Sequence, residues 1–169
     1  MSQQAEALAH RKPSALRFVA FTTVAALTAA LAAGASAALT LPVWAMFVGF
    51  VAFFSRGPSS RDGAINLACV WLGHALGIGS ALTLGVLAPS LGVFALPIAV
   101  FIVTMIVVSL RALPWLNNIL GYFLGVITFF AAHLEPSLES LALLGGATGL
   151  GAMAGWIAYQ LQHHLIHEN

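Results

Sequence analysis

His74 is the residue best suited to chemistry in this chain, because it stands alone within a long run free of Asp, Glu, Lys and Arg. An imidazole can donate and accept hydrogen bonds, and its charge changes near neutral pH. An ionisable side chain inside an apolar segment is by default a functional candidate. His74 is therefore predicted to be a polar contact on a solute path, with the hydroxyl of Thr128 as a second one. The alternative is a buried imidazole that only links helices.

Two phenylalanine pairs, Phe53-Phe54 and Phe129-Phe130, form the second candidate feature. Each pair ends an apolar block, and each is followed by a Pro-Ser dipeptide. Hydrophobic constrictions can gate a pore by excluding water. We predict that the pairs form two such constrictions, while ordinary packing or lipid contact remains the alternative.

Other site chemistry is weakly represented. His163 and His167 are four residues apart, beside Glu168, and could share a helix face, but the only cysteine is Cys69 and it lies far away. Nucleophile-elbow, zinc-protease, P-loop and dinucleotide-binding motifs are absent from the sequence. The sequence therefore predicts no enzyme, no catalytic residues, no metal site and no cofactor.

The composition indicates where these residues reside. Of 169 residues, 60% are apolar and 7% are charged, and the net charge is +1. A soluble domain has about 25% charged residues, and a nucleic-acid-binding protein needs a basic face. The sequence predicts an all-α integral membrane protein that contacts the lipid bilayer and binds no nucleic acid.

Uncharged runs divided by turn residues predict six transmembrane helices, since about 20 apolar residues cross a bilayer. Residues 1–15 are predicted as an N-terminal segment, 16–161 as the membrane domain and 162–169 as a tail. All Lys and Arg residues lie on one predicted side, which places both termini in the cytoplasm. The predicted spans are 16–37, 41–55, 63–86, 92–110, 115–132 and 140–161.

The chain contains an internal repeat. Residues 47–54 align without gaps on 123–130, and Leu-Gly-x-x-x-Gly occurs at both 72–77 and 150–155. Spans one to three (16–86) thus match spans four to six (92–161). Because three is an odd number of spans, the second copy is predicted to be inverted in the membrane, as in many transporters.

Short motifs carry a family resemblance. They are Trp44-x-x-Phe-x-Gly49 followed by Phe53-Phe54, the block from Gly125 to Phe130, and the glycine-rich segment 145–155. With these, residues 16–161 resemble a family of small bacterial inner-membrane proteins catalogued as domain of unknown function 1097. The resemblance implies a multi-pass protein of the bacterial inner membrane and supplies no activity or site residue.

Two functions follow as hypotheses. The first is a channel or facilitator for a small, largely uncharged solute, because the predicted membrane interior holds no charged residue. The second is a non-transporting scaffold or regulatory subunit of a larger complex, suggested by the many small residues at four-residue spacing. One copy offers few helices for a closed pore, so a homo-oligomer, either a dimer or a trimer, is expected.

Overall fold

The computed structural model describes residues 15–57 and 59–167. All regular structure within these ranges is helical. In chain order the α-helices are α1 (Ala15–Ala38), α2 (Val43–Phe53), α3 (Ser60–Leu91), α4 (Ala95–Leu110), α5 (Ile119–Ala132) and α6 (Leu138–His167). The predicted tail beyond residue 161 is part of α6 as far as His167, whereas residues 1–14 of the predicted N-terminal segment lie outside the described residues.

The loop predicted at the break between the third and fourth spans is absent, and the break lies later, at Gly92. We expected residues 88–92 to form a loop, but α3 continues through Pro89 to Leu91, and a 3-10 turn at Gly92–Phe94 leads directly into α4. Gly92 has a φ of 52°, which glycine adopts at little steric cost. Because α3 and α4 pack against each other, the chain turns back at this glycine, whose φ of 52° and ψ of −124° are not helical.

The number of spans is also corrected. Counted as uninterrupted helical stretches, the described chain has five, not six, because residues 60–110 form one continuous stretch. Three stretches are long and apolar enough to cross a membrane: Ala15–Ala38, Ser60–Leu110 and Leu138–Leu165. The other two, α2 with 11 residues and α5 with 14, are shorter than a full span.

Hydrogen-bonding side chains fix where several helices begin. Ser59 precedes α3 and accepts a hydrogen bond from the Asp62 amide at 3.0 Å. Ser137 precedes α6 and accepts one from the Ser140 amide at 3.1 Å. Asn118 caps α5 in the same way, through the amide of Gly121. These side chains satisfy amides that have no partner within the helix.

The core is built from two crossed helix pairs, α2 with α6 and α3 with α5. Glycines allow the backbones to touch. A Cβ atom on Gly49 would overlap the Thr148 carbonyl of α6, and one on Gly125 would overlap the Val70 carbonyl of α3. In lipid, where helices gain little from burying apolar surface, such close packing is a main source of association.

Candidate functional site

The two phenylalanine pairs have matching environments. Phe53 and Phe129 are each 2% exposed, whereas Phe54 and Phe130 are 41% and 42% exposed. Within each pair the rings meet edge to face, at centroid distances of 5.0 Å and 5.4 Å. Only the first member of each pair therefore enters the core. The predicted constriction residues thus divide into two inner rings, Phe53 and Phe129, and two outer ones.

The inner rings cover glycines of the neighbouring helices. Phe53 packs over Gly155 of α6 and Gly63 of α3, where a Cβ atom would collide with its side chain. Phe129 packs over Gly77 of α3, whose Cβ would lie 3.0 Å from the ring. Both rings thus fill space between helices that the glycines leave open. They lie at opposite ends of the helix core, since α2 ends near the start of α3 while α5 ends near the start of α6.

His74 lies on α3 between the two glycines that these rings cover. Its side chain is fully buried, and neither ring nitrogen has a hydrogen-bond partner among the described residues. Most buried polar side chains do find a partner, so an imidazole with two unpaired nitrogens calls for an explanation. Gly77 lies three residues further along α3, which places His74 within one helical turn of the contact with Phe129.

Thr128 is buried, but its hydroxyl is already engaged. It donates to the Leu124 carbonyl one turn earlier in α5, at 2.6 Å. This backbone bond is common for threonine inside helices. The hydroxyl can still accept one hydrogen bond, so a role in contacting a solute stays a prediction.

A buried polar network joins three helix ends. Asn118, before α5, donates to Asn66 of α3 at 2.8 Å and to Ser55 at 2.7 Å. Asn66 in turn donates to the Phe53 carbonyl at 3.0 Å. Arg56 completes this end of the molecule with a salt bridge to Asp62 at 3.3 Å.

The opposite end of the core is closed by apolar contacts. Ala45, Phe129, Leu144 and Ala147 form one buried cluster there. The network end is therefore held by hydrogen bonds between side chains of different helices, whereas the cluster around Phe129 is apolar.

An apolar groove of about 790 Å³ runs along the outside, between α3 and α6. A second one, of about 440 Å³, adjoins it beyond Trp71. The Trp71 indole crosses from α3 to α6 and donates to the Gly145 carbonyl at 3.2 Å. The first, which we call the α3–α6 groove, is lined by Ala68, Trp71, Leu72, Ala75, Leu116, Leu141, Ala142, Gly145, Gly146, Gly149 and Leu150.

Sequence reasoning missed the network and the groove for different reasons. Asn66 and Asn118 stood out only as two of several uncharged polar residues, although the adjacent pair Asn117-Asn118 before an apolar block was a usable signal for a helix cap. The α3–α6 groove has no local signal, because its α3 and α6 walls are at least 66 residues apart in the chain. In the sequence, Gly145 and Gly149 have the four-residue spacing of glycines that let two helices pack closely.

The histidine tail shows no metal-binding cluster within the described part. His163 packs against Tyr159 with ring centroids 5.7 Å apart, and no group of three His, Cys, Asp or Glu residues converges there among residues 15–57 and 59–167. Glu168 lies outside the described residues. Cys69 is buried in α3 as a free thiol.

Comparison with known proteins gives one match. No curated protein and no solved structure matches the chain significantly. The family described as "Protein of unknown function (DUF1097)" matches residues 22–163, which include all of α2 to α5 and both phenylalanine pairs. This match confirms the resemblance carried by the Trp44, Gly49 and Gly125 motifs. The chain belongs to the DUF1097 family of proteins of unknown function.

Proposed function

We propose that this protein is a membrane-embedded facilitator for a small, largely uncharged solute. One observation carries the proposal: Phe53 and Phe129 close opposite ends of the helix core, and between them lies a buried imidazole that has no hydrogen-bond partner within residues 15–57 and 59–167. Gly63 and Gly77, which the two rings cover, are separated by about 21 Å along α3 at the usual helical rise. This is a large part of the thickness of a bilayer's hydrocarbon core.

The helix contacts support an inverted repeat, which the proposal requires. Under the alignment of 47–54 on 123–130 and of 72–77 on 150–155, Gly49 corresponds to Gly125 and Thr148 to Val70. The contact of Gly49 with the Thr148 carbonyl thus has its counterpart in that of Gly125 with the Val70 carbonyl. In both contacts, one partner comes from residues 16–86 and the other from residues 92–161.

Two further contacts are paired in the same way. A Cβ on Gly151 would overlap the Met46 carbonyl, and one on the corresponding Gly73 would overlap the carbonyl of the corresponding Tyr122. Gly155 meets Phe53 as Gly77 meets Phe129. Three matched contacts support two halves related by a pseudo-two-fold axis, an arrangement that gives transporters similar access from both faces.

The chemistry of the core indicates the class of solute. Within the described helices, the buried polar residues are uncharged apart from the titratable His74. An ion would have to give up its hydration without a compensating charge, which is costly in a medium of low dielectric constant. A small neutral molecule with both a donor and an acceptor could instead pair with the imidazole nitrogens and leave again.

The further parts of this proposal concern location and assembly. From the basic residues Arg56, Arg61 and Arg111 and the positive-inside rule, we infer that the end with the Asn66–Asn118 network faces the cytoplasm. We propose a bacterial inner-membrane protein with both termini cytoplasmic, working as a homo-oligomer without enzymatic activity. A scaffold or regulatory subunit remains the alternative function, favoured by the exposed α3–α6 groove.

A liposome flux assay tests the proposal. The full chain is reconstituted, and the entry of urea, glycerol and ammonia is measured by stopped-flow against protein-free liposomes. We expect the wild type to accelerate at least one solute. Phe53→Leu and Phe129→Leu should raise its flux, because each removes part of a ring that closes the core.

The outer rings supply matched controls. Phe54→Leu and Phe130→Leu change the same residue type, one position further along the chain, at exposed sites, so flux should stay within about two-fold of wild type. The proposal fails if the wild type transports none of the panel, or if only the outer-ring variants alter flux. A stable hetero-complex in mild detergent, with no flux, would favour the scaffold instead.

A further inference from the structure

The α3–α6 groove is open space rather than a packing defect. Its glycines do not bring backbones together: a Cβ on Gly145 would lie 3.8 Å from the Trp71 indole nitrogen, and one on Gly149 would lie 3.5 Å from its ring. Both are ordinary van der Waals distances. In contrast, Gly49 and Gly151 could not carry a side chain without backbone overlap. The groove glycines therefore leave room beside Trp71, and the groove's volume of about 790 Å³ is typical of small-molecule sites.

The lining of this groove selects an apolar occupant. Every lining residue is Ala, Gly, Leu or Trp, and the only side-chain polar atom among them, the Trp71 indole nitrogen, already donates to the Gly145 carbonyl. The groove is also open along its length to the surroundings of α3 and α6. A hydrocarbon chain from the bilayer could enter from the side.

A positive charge lies at one end of the groove. The Arg61 guanidinium stacks 5.1 Å from the centroid of the Trp115 ring, next in sequence to the lining residue Leu116. Arg61 stands seven residues before Ala68 and eleven before Leu72, so the three share a face of α3. The carboxylate of Asp62, the next residue in the chain, forms its salt bridge with Arg56.

We propose that the α3–α6 groove binds an anionic phospholipid, with an acyl chain beside Trp71 and the phosphate at Arg61. The apolar groove is complementary to the acyl chain of such a lipid. The cation beside an aromatic ring, at the end of the groove, is complementary to its charged headgroup. Tryptophan favours the headgroup region, and basic sites between helices on the cytoplasmic side recognise anionic headgroups. This inference is independent of transport, because it concerns the outer surface and not the core.

Native mass spectrometry of the detergent-solubilised full chain tests the inference. Phosphatidylglycerol and phosphatidylcholine with identical acyl chains are titrated, and their apparent dissociation constants are compared. We expect phosphatidylglycerol to bind more tightly, and Arg61→Gln to weaken it about five-fold, as the loss of one basic contact at a membrane surface implies. Arg61→Lys should retain most of the preference.

A bulky residue tests the acyl site separately. Ala142→Phe, at an exposed lining position of α6, should weaken both lipids, whereas Ala30→Phe, at an exposed position of α1 outside the groove, should weaken neither. The inference is overturned if both lipids bind equally, if Arg61→Gln keeps the preference, or if Ala142→Phe leaves binding unchanged. Conversion of a dimer to a monomer by Ala142→Phe, with lipid binding intact, would assign the groove to a second copy.

Discussion

The side chain of Asn118 donates a hydrogen bond to that of Asn66 at 2.8 Å, and both are buried. The same Asn118 accepts from the Gly121 amide, while Asn66 continues to the Phe53 carbonyl. Two amide side chains thus connect the end of α2, the start of α3 and the start of α5. The connection fixes the position of Phe53, the inner ring at this end.

Replacing Asn66 should therefore destabilise the fold. Asn66→Leu leaves the buried amide of Asn118 without one acceptor, which costs about 1–3 kcal/mol. The melting temperature in detergent, followed by circular dichroism, should fall. Asn117→Ala is the control, because Asn117 is exposed and loses only a surface hydrogen bond from Arg56, so stability should change by no more than about 0.5 kcal/mol. Equal melting temperatures for Asn66→Leu and the wild type would contradict this account of the network.

The proposed inverted repeat predicts that corresponding glycines respond alike to the same substitution. Gly151→Ala and Gly73→Ala each force a methyl group onto a carbonyl of the facing helix, so both should sharply lower the yield of monodisperse protein. Gly79→Ala and Gly85→Ala also lie in a helix, but they meet nothing within 4 Å and should gain about 0.5–1 kcal/mol from helix propensity. Size-exclusion chromatography and melting curves measure both effects. A tolerated Gly151→Ala would show that the backbones are not in contact.

His74 should matter more for flux than for stability. Because its ring nitrogens are buried without partners, His74→Leu removes an uncompensated polar group and should leave the melting temperature unchanged or raised. Solute flux in liposomes should fall, since the polar contact between the two inner rings is lost. His74→Gln, which keeps a donor and an acceptor, should retain part of the flux. A destabilised His74→Leu would indicate a structural imidazole.

Single-cysteine labelling can test the orientation. In intact cells, a membrane-impermeant maleimide should label Ser90→Cys, at the exposed end of α3, and should label Ala112→Cys, after α4, only once the membrane is permeabilised. The native Cys69 is fully buried and serves as the unlabelled background. The reverse labelling pattern would contradict the placement of Arg111 on the cytoplasmic side.

The helical class, the family and most helix positions follow from the sequence, because hydropathy and turn residues act locally. Local signals failed at Pro89: a proline and glycine pattern predicted a loop, but α3 accommodates Pro89 within its last turn and changes direction only at Gly92. Pro89 cannot donate a backbone hydrogen bond to the carbonyl four residues earlier, and the helix ends two residues after it, at Leu91.

The candidate site could be predicted only in part. Repetition in the sequence singled out both phenylalanine pairs, but it could not separate Phe53 from Phe54, because their exposure depends on the glycines of distant helices. Gly145 and Gly151 both occur in Gly-x-x-x-Gly patterns. Nevertheless, Gly151 touches α2, whereas Gly145 borders the α3–α6 groove. Partners remote in the chain decide these roles.

The crossed pairing of α2 with α6 sets an order for assembly. Met46 and Gly49, near the start of the chain, find their backbone partners only in the last helix. During synthesis α2 must therefore wait until α6 has emerged from the ribosome, since contacts distant in sequence form late. A chain that ended before α6 would therefore leave Met46 and Gly49 without the backbone contacts that pack α2 into the core.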